Sequence, residues 1–296
     1  MSLETEAAFR QLTQQLTTIY DESESANIAG WVIEAVTGYR RSAWLAQPGA
    51  MLNPEQQQQL EAYSRSLMTQ RPVQYVLGEC YFLDMKLFVD ERVLIPRPET
   101  EELADWIIKE WNEKPGVTAV DIGAGSGCLA LALKKHLDSA TVYAADLSEG
   151  ALAVAGHNAG ALGLSLEWLQ ADILQRESWD QWPGTDIIVS NPPYITLPEQ
   201  ESMAAHVLDY EPHLALFVTD HDPLQFYKAI AAFAALKLRP GGSVFLELHM
   251  DHAEATRQYY EALGWHTVLR KDMQGRERML HARWRSGEGN PEAFTS

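Results

Sequence analysis

A chain of 296 residues with 46% hydrophobic content has apolar material for one large domain or two modest ones. Its formal net charge of −18 argues against a duplex-DNA grip, which needs a basic face for the phosphates, and favours a small molecule, a protein or a basic partner. Two distant cysteines, Cys80 and Cys128, leave no disulfide framework or zinc site and read as small buried apolar residues. No apolar run reaches bilayer length and no basic-then-apolar signal opens the chain, so cytoplasmic is the default location and no membrane partner is expected. No metal is expected either. His249 and His252 sit three apart after a strand but lack a third ligand, and they read as a surface pair.

Residues 1–72 read as helices. Phe9, Leu12, Leu16 and Ile19 keep helical spacing, and Ala26, Ile28, Trp31, Val32 and Ala35 make a second apolar face that stops near Gly38. Asn53-Pro54-Glu55 is a helix start, with Asn as cap and Pro in the first turn, and Leu60, Tyr63 and Leu67 continue that helix. The plain reading is a small helical bundle, used for docking or as a lid. Residues 73–98 read as a β-hairpin linker: residues 81–89 partly alternate, and Asp90-Glu91 turns the chain back into Val93-Leu94-Ile95. The stretch Pro96-Arg97-Pro98-Glu99-Thr100-Glu101-Glu102 has two readings. It is an acidic helix start, or a stiff segment that carries Arg97 or Glu99 into a site.

From about residue 115, strand and helix alternate. Strands are expected over 117–122, 141–145, 164–169, 186–190 and 243–248, with helices over 129–137, 150–161, 224–236 and 253–263. Pro240-Gly241-Gly242 is expected to turn into the strand that follows it, and 266–272 with 277–284 to close the domain as a strand pair around Gln274-Gly275. Residues 99–285 therefore read as an α/β domain with a mostly parallel, doubly wound sheet and an antiparallel C-terminal hairpin, and 286–296 as a loose polar tail.

Two stretches carry chemistry. The apolar run Ile187-Ile188-Val189 reads as a buried strand that ends abruptly at Asn191-Pro192-Pro193-Tyr194. Two prolines remove two donors and fix φ, so the chain leaves the sheet in a stiff turn. That turn fits a planar –NH2 group, with Asn191 Oδ1 and the Pro192 carbonyl accepting its two hydrogens and the Tyr194 ring packing on its flat face. The bland alternative is a rigid turn with a structural Asn. The second stretch is Asp121-Ile122-Gly123-Ala124-Gly125-Ser126-Gly127, which follows the first strand and opens a helix. Its third glycine comes one residue earlier than in the dinucleotide fingerprint, which counts against a nicotinamide or flavin site. Asp146, 23 residues after Gly123, either accepts two ribose hydroxyls or caps a helix before Ser148. Asp172 either reaches an adenine amino group or ends a strand in a turn.

A glycine loop after strand one, an acid after strand two and Asn-Pro-Pro-Tyr after strand four resemble the class I S-adenosylmethionine-dependent methyltransferases that act on a planar exocyclic or amide nitrogen. Arg71-Pro72-Val73-Gln74-Tyr75-Val76-Leu77-Gly78, Val93-Leu94-Ile95-Pro96-Arg97-Pro98-Glu99-Thr100-Glu101, Tyr210-Glu211-Pro212 and Asp272-Met273-Gln274-Gly275-Arg276-Glu277-Arg278 are similar to the HemK/PrmC family, the peptide chain release factor glutamine methyltransferases. The resemblance covers roughly residues 70–284. It implies a Rossmann-like sheet and a protein-(glutamine-N5) methyltransferase that uses S-adenosyl-L-methionine. Cofactor contacts would be Gly123, Ala124, Gly125, Ser126, Gly127, Asp146, Asp172, Ile173 and Asn191. Asn191, Pro192, Pro193 and Tyr194 would hold the substrate glutamine, with Asn191, Pro192 and Tyr194 as the catalytic set. Many relatives carry an aromatic residue where this chain has Ile173, which covers an adenine with less stacking. The implied partner is a class I release factor, at the glutamine of its Gly-Gly-Gln motif, with no direct nucleic-acid binding. The alternatives are N5-methylation of a ribosomal-protein glutamine, and adenine-N6 methylation of nucleic acid.

Overall fold

The computed structural model describes residues 3–47, 49–218 and 222–284. The chain divides into two compact units, Met1–Glu79 with Ala204–Tyr210, and Cys80–Met203 with Glu211–Ser296. Among the described residues, no helix is long and apolar enough to cross a membrane.

The first unit is helical: α1 (Thr5–Leu16), α2 (Glu22–Thr37), α3 (Arg41–Leu45), α4 (Pro54–Leu67) and α5 (Val73–Leu77). Local chemistry sets the ends. The Asp21 carboxylate accepts from Glu24 N at 2.8 Å, and Gly38 closes α2 at φ +73°. Asn53 and Gln56 form a reciprocal capping box ahead of α4. The core gathers Leu12, Leu16, Ile28, Val32, Ile33, Val36 and Leu67. The buried stripe of α2 therefore runs through Ile28, Ala29, Val32, Ile33 and Val36 rather than Trp31, which is 49% exposed. A later short helix, Ala205–Tyr210, belongs to this unit, with the Tyr210 hydroxyl donating to the Thr69 carbonyl at 2.8 Å.

The second unit opens on a hairpin, β1 (Cys80–Phe82) with β2 (Met85–Leu87), in which Phe82 pairs with Met85. The turn is Leu83-Asp84 rather than Asp90-Glu91, and Leu83 adopts φ +50°. Nothing in that dipeptide has the usual Asn-Gly or Asp-Gly signature of a tight hairpin. Val93-Leu94-Ile95 joins no sheet; the Ile95 amide instead donates to Glu211 Oε2 at 3.2 Å. Residues 73–77, expected in the linker, form α5.

Then follow α6 (Pro98–Trp111), β3 (Thr118–Ile122), α7 (Cys128–His136), β4 (Thr141–Asp146), α8 (Glu149–Leu162), β5 (Glu167–Gln170), β6 (Thr185–Ser190), α9 (Gln225–Lys237), β7 (Leu238–Glu247), α10 (Ala253–Ala262), β8 (Trp265–Lys271) and β9 (Glu277–Trp284). One seven-stranded sheet runs in the order β5-β4-β3-β6-β7-β9-β8. The strands from β5 to β7 are parallel, whereas β9 pairs antiparallel with both β7 and β8. Central strands are buried on both faces, so their sequences read as apolar runs instead of alternating. On one face α9 and α10 pack with Val120, Ile188, Val244 and Leu246 into a common cluster. On the other, Trp106 of α6 meets Phe245 edge-on at 5.7 Å, and Phe245 stacks on His281 at 4.3 Å.

Pro240-Gly241-Gly242, expected as a turn, lies inside β7 as a bulge: Thr185 pairs with Leu238 and Ile187 with Ser243. A Cβ on Gly242 would stand 2.8 Å from the Asp186 carbonyl, so only glycine lets the strands close there. β5 is shorter than expected and mostly exposed, as suits the sheet edge.

Candidate active site

Sheet register places the site. Ile122 lies opposite Ala145 on one side and Ser190 on the other, so the C-terminal ends of β3, β4 and β6 are level. The Ser190 hydroxyl donates to the Ile122 carbonyl at 2.6 Å and pins β6 to β3 where the chains leave the sheet. Strand order reverses between β3 and β6, and in doubly wound sheets the crevice at that point takes the ligand.

The glycine loop turns back here. Gly123 N and Ala124 N both donate to the Ala145 carbonyl, at 2.8 and 2.9 Å. Gly123, Gly125 and Gly127 all have positive φ, at +77°, +54° and +80°. A Cβ on Gly127 would sit 3.0 Å from Ala155 Cβ, so this glycine lets α7 and α8 approach. The Asp146 carboxylate braces the loop, accepting from Gly125 N at 2.9 Å and Ser148 N at 2.8 Å. Its pKa is nevertheless raised, by burial above all, with those amides opposing. Asn158 of α8, 1% exposed, donates to the carbonyls of Ser126 and Phe88 and accepts from Phe88 N.

These elements enclose a cavity. Gly123, Ala124, Gly125 and Ser126 line it, with Asp146, then Asp172 and Ile173, and Asn191, Pro192 and Pro193. Gly127 and Tyr194 are not on its wall. The Asp172 carboxylate accepts from Leu174 N at 2.9 Å, the turn geometry of a strand end, while its residue still lines the cavity. Tyr194 packs against the α9–α10 core and meets the His249 ring at 5.5 Å. His249 departs from the expected surface pair, since its side chain is only 13% exposed and its Nε2 lies 3.3 Å from Glu199. Burial, its largest influence, depresses the His249 pKa. Glu199, His249 and Asp251 bring ligand atoms within 4.8 Å of one another.

The Pro-Arg-Pro-Glu-Thr-Glu stretch does both things considered for it. It starts α6, with Pro98 in the first turn and Glu99 and Glu101 behind it. It also reaches the cavity, whose wall includes Arg97 and Thr100. Arg97 Nη2 meets the buried Glu211 at 2.5 Å, and Glu99 meets Arg276 at 3.2 Å.

Four polar residues that the sequence reading left without a role surround the site. Glu211 holds Arg97 and the Ile95 amide. Asp121, 1% exposed, accepts from Ala130 N at 3.0 Å through Oδ2, while its Oδ1 has no partner among the described residues. Burial pushes its pKa up to about 7, and the nearby Asp146 adds to the rise. Glu247, 2% exposed, accepts from Thr100 Oγ1 at 2.6 Å, and Thr100 Oγ1 in turn accepts from Asn191 Nδ2 at 3.2 Å. The available signal was an acid inside an apolar run, Val120-Asp121-Ile122 and Leu246-Glu247-Leu248. Buried acids in such places need partners.

A glycine loop, an acid after β4 and a proline-braced Asn at one crevice of a doubly wound sheet with an antiparallel end define a class I methyltransferase that uses S-adenosylmethionine. Residues 103–211 match the methyltransferase small domain, and residues 7–78 match the PrmC N-terminal domain. The chain is 39% identical over 279 residues to a release factor glutamine methyltransferase of Flavobacterium psychrophilum, covering 93% of this chain and 97% of that one. It is 41% identical over 233 residues to its counterpart in Bacteroides thetaiotaomicron, covering 78% and 83%. The chain belongs to the release factor glutamine methyltransferase family.

Proposed function

We propose that this enzyme transfers a methyl group from S-adenosylmethionine to the side-chain nitrogen of the glutamine in the Gly-Gly-Gln motif of class I peptide chain release factors. The observation that carries the reading is a pair of oxygens without partners on two residues of the cavity wall. Among the described residues nothing hydrogen-bonds to Asn191 Oδ1 or the Pro192 carbonyl, and both residues line the cavity that holds the glycine loop.

The residues present fit the cofactor. Gly123 and Gly125, both at positive φ on the cavity wall, place no side chain there, Asp146 offers a carboxylate to a ribose, and Ile122, Leu147 and Ile173 supply apolar walls for a base. Gly127 would act beneath the loop by allowing α7 and α8 to close. S-adenosylmethionine, when bound, supplies an electrophilic methyl on a sulfonium that departs as a neutral thioether.

What this chain must supply is a competent nucleophile, because an amide nitrogen shares its lone pair with its carbonyl. Asn191 Oδ1 and the Pro192 carbonyl accept the two N–H bonds of the glutamine, hold them in place and raise electron density on nitrogen. Held this way, the nitrogen would keep its lone pair clear of both acceptors. Carbon–sulfur cleavage and carbon–nitrogen formation are matched by loss of one N–H proton to water. Positioning and electrostatics supply most of the rate, without a strong base. Tyr194, next in the chain, anchors the end of the turn by packing against the α9–α10 core.

A protein substrate needs contact area outside the pocket. The helical unit supports that role, with Trp31, Tyr39, Leu45 and Met51 all at least 49% exposed. The net charge of −18 disfavours nucleic acid as the acceptor. The test is labelled-methyl transfer to a release factor, DNA and RNA in parallel, with peptide mapping of the product. Label on the Gly-Gly-Gln glutamine, lost in Asn191→Ala, is the expected result. Label on nucleic acid, or undiminished transfer by Asn191→Ala, rejects the reading.

A further inference from the structure

We infer that Thr100 and Glu247 are positioning residues that decide which end of the Asn191 amide faces the substrate. The inference rests on the reading above, in which Asn191 must present its oxygen.

An amide side chain has two ends of nearly equal size and opposite hydrogen-bonding character. Turned the wrong way, Asn191 would point –NH2 at the –NH2 of the glutamine and repel it. The geometry supplies a polarity that forbids this. Glu247 Oε2 lies 2.6 Å from Thr100 Oγ1, which lies 3.2 Å from Asn191 Nδ2. Once Glu247 is ionised, above about pH 7, its carboxylate only accepts, so the single hydroxyl proton of Thr100 is then committed to it. Toward Asn191 that hydroxyl has only a lone pair to offer. A donor must face it, and the donor is Nδ2. Oδ1 is thereby left for the cavity.

The three groups meet because of the fold. Ser190 pairs with Leu246, so Asn191 and Glu247, the next residues along parallel neighbours, stand at one level. The first turn of α6 lays Thr100 across them. Thr100 and Glu247 are each 2% exposed, so water does not compete for either bond. The rival reading is architectural: a buried acid that fastens the start of α6 to the sheet. That role would alter stability alone, whereas positioning alters turnover.

The experiment uses the full chain with S-adenosylmethionine and a release factor at about pH 8.5, where Glu247 is ionised. Thr100→Val removes the hydroxyl at constant shape, Thr100→Ser keeps it, and Asn191→Ala is the comparator. Calorimetric titration with S-adenosylmethionine counts competent sites, so turnover is expressed per binding site whatever fraction folds. Thr100→Val should lose roughly 10- to 100-fold in kcat, the effect of leaving a buried donor unpaired, with KM for release factor and Kd for cofactor within about twofold. Thr100→Ser should stay within about threefold of the parent. Thr100→Val/Glu247→Met also removes the orphaned acid, so it should recover thermal stability yet remain as slow as the single variant. Near-normal kcat in Thr100→Val, in the double variant, or in both overturns the inference, as does an equal fall in Thr100→Ser. If Asn191→Ala is inactive while Thr100→Val is not, positioning fails and the acceptor role of Asn191 stands. If Asn191→Ala is itself active, the acceptor role fails.

Discussion

Replacing Glu247 by Gln should change how stability depends on pH, and the direction follows from burial. Burial is the largest influence on Glu247 and lifts its pKa from 4.5 to about 7, with Glu99 adding to the rise and Thr100, Arg278 and Arg97 opposing it. The folded value lies above the unfolded one, so between these two pH values the native state keeps a proton that the unfolded chain has released. The contribution of this group to stability is therefore fully present below pH 4.5 and is lost as pH rises through about 7. A rise of that size amounts to on the order of 3 kcal/mol. Glutamine keeps the shape and an oxygen to accept from Thr100 but carries no titration. Urea unfolding of both proteins at about pH 5.5 and about pH 8.5 isolates the difference, because Asp121 titrates in each. The variant should gain roughly 2 kcal/mol relative to the parent between those conditions. Parallel stability curves would refute the argument, since they would mean that Glu247 ionises in the fold as it does in the open chain.

Three further outcomes are expected. Asp146→Asn should weaken cofactor binding by roughly tenfold in calorimetry, because a charged acceptor becomes neutral while its place under Gly125 is kept; unchanged affinity would make Asp146 only a loop brace. Gly127→Ala should destabilise the protein by about 1–3 kcal/mol in denaturant titrations, since the new Cβ meets Ala155 and Leu131 at 3.0 and 3.3 Å on a backbone with φ +80°. Cys80 and Cys128 are buried thiols, and burial also raises the Cys128 pKa, so neither should react with an aromatic disulfide reagent at about pH 8 until denaturant is added.

Punctuation by backbone chemistry was easy to read from the residues. Glycines opening α7, the paired prolines after β6, the Asn53 cap and Gly38 at the end of α2 each state a local backbone requirement, and the folded chain meets each at that place. The alternation from residue 115 onward gave the sheet, because short β-branched runs between helical stretches leave few other solutions. What escaped was set by partners far away in sequence. Glu247 and Thr100 are 147 residues apart, and Arg97 and Glu211 are 114 apart, so no window along the chain contains either pair. The Leu83-Asp84 turn was missed for the opposite reason: its residues lack turn chemistry, and its conformation is held by its setting, including Asp84 beside Lys135 at 2.8 Å. Trp31 shows a third limit. Helical spacing locates an apolar stripe but not its edge, and a docking surface draws on the same residue types as a core.

Strand β9 follows β8 along the polypeptide yet lies between β7 and β8, which touches no other strand. As the chain emerges from the ribosome, β8 must wait without a neighbour, and β7 keeps a bare edge of amides and carbonyls until β9 slots in. The strand that carries Glu247 thus acquires its second neighbour only after every other described strand of the sheet has been made.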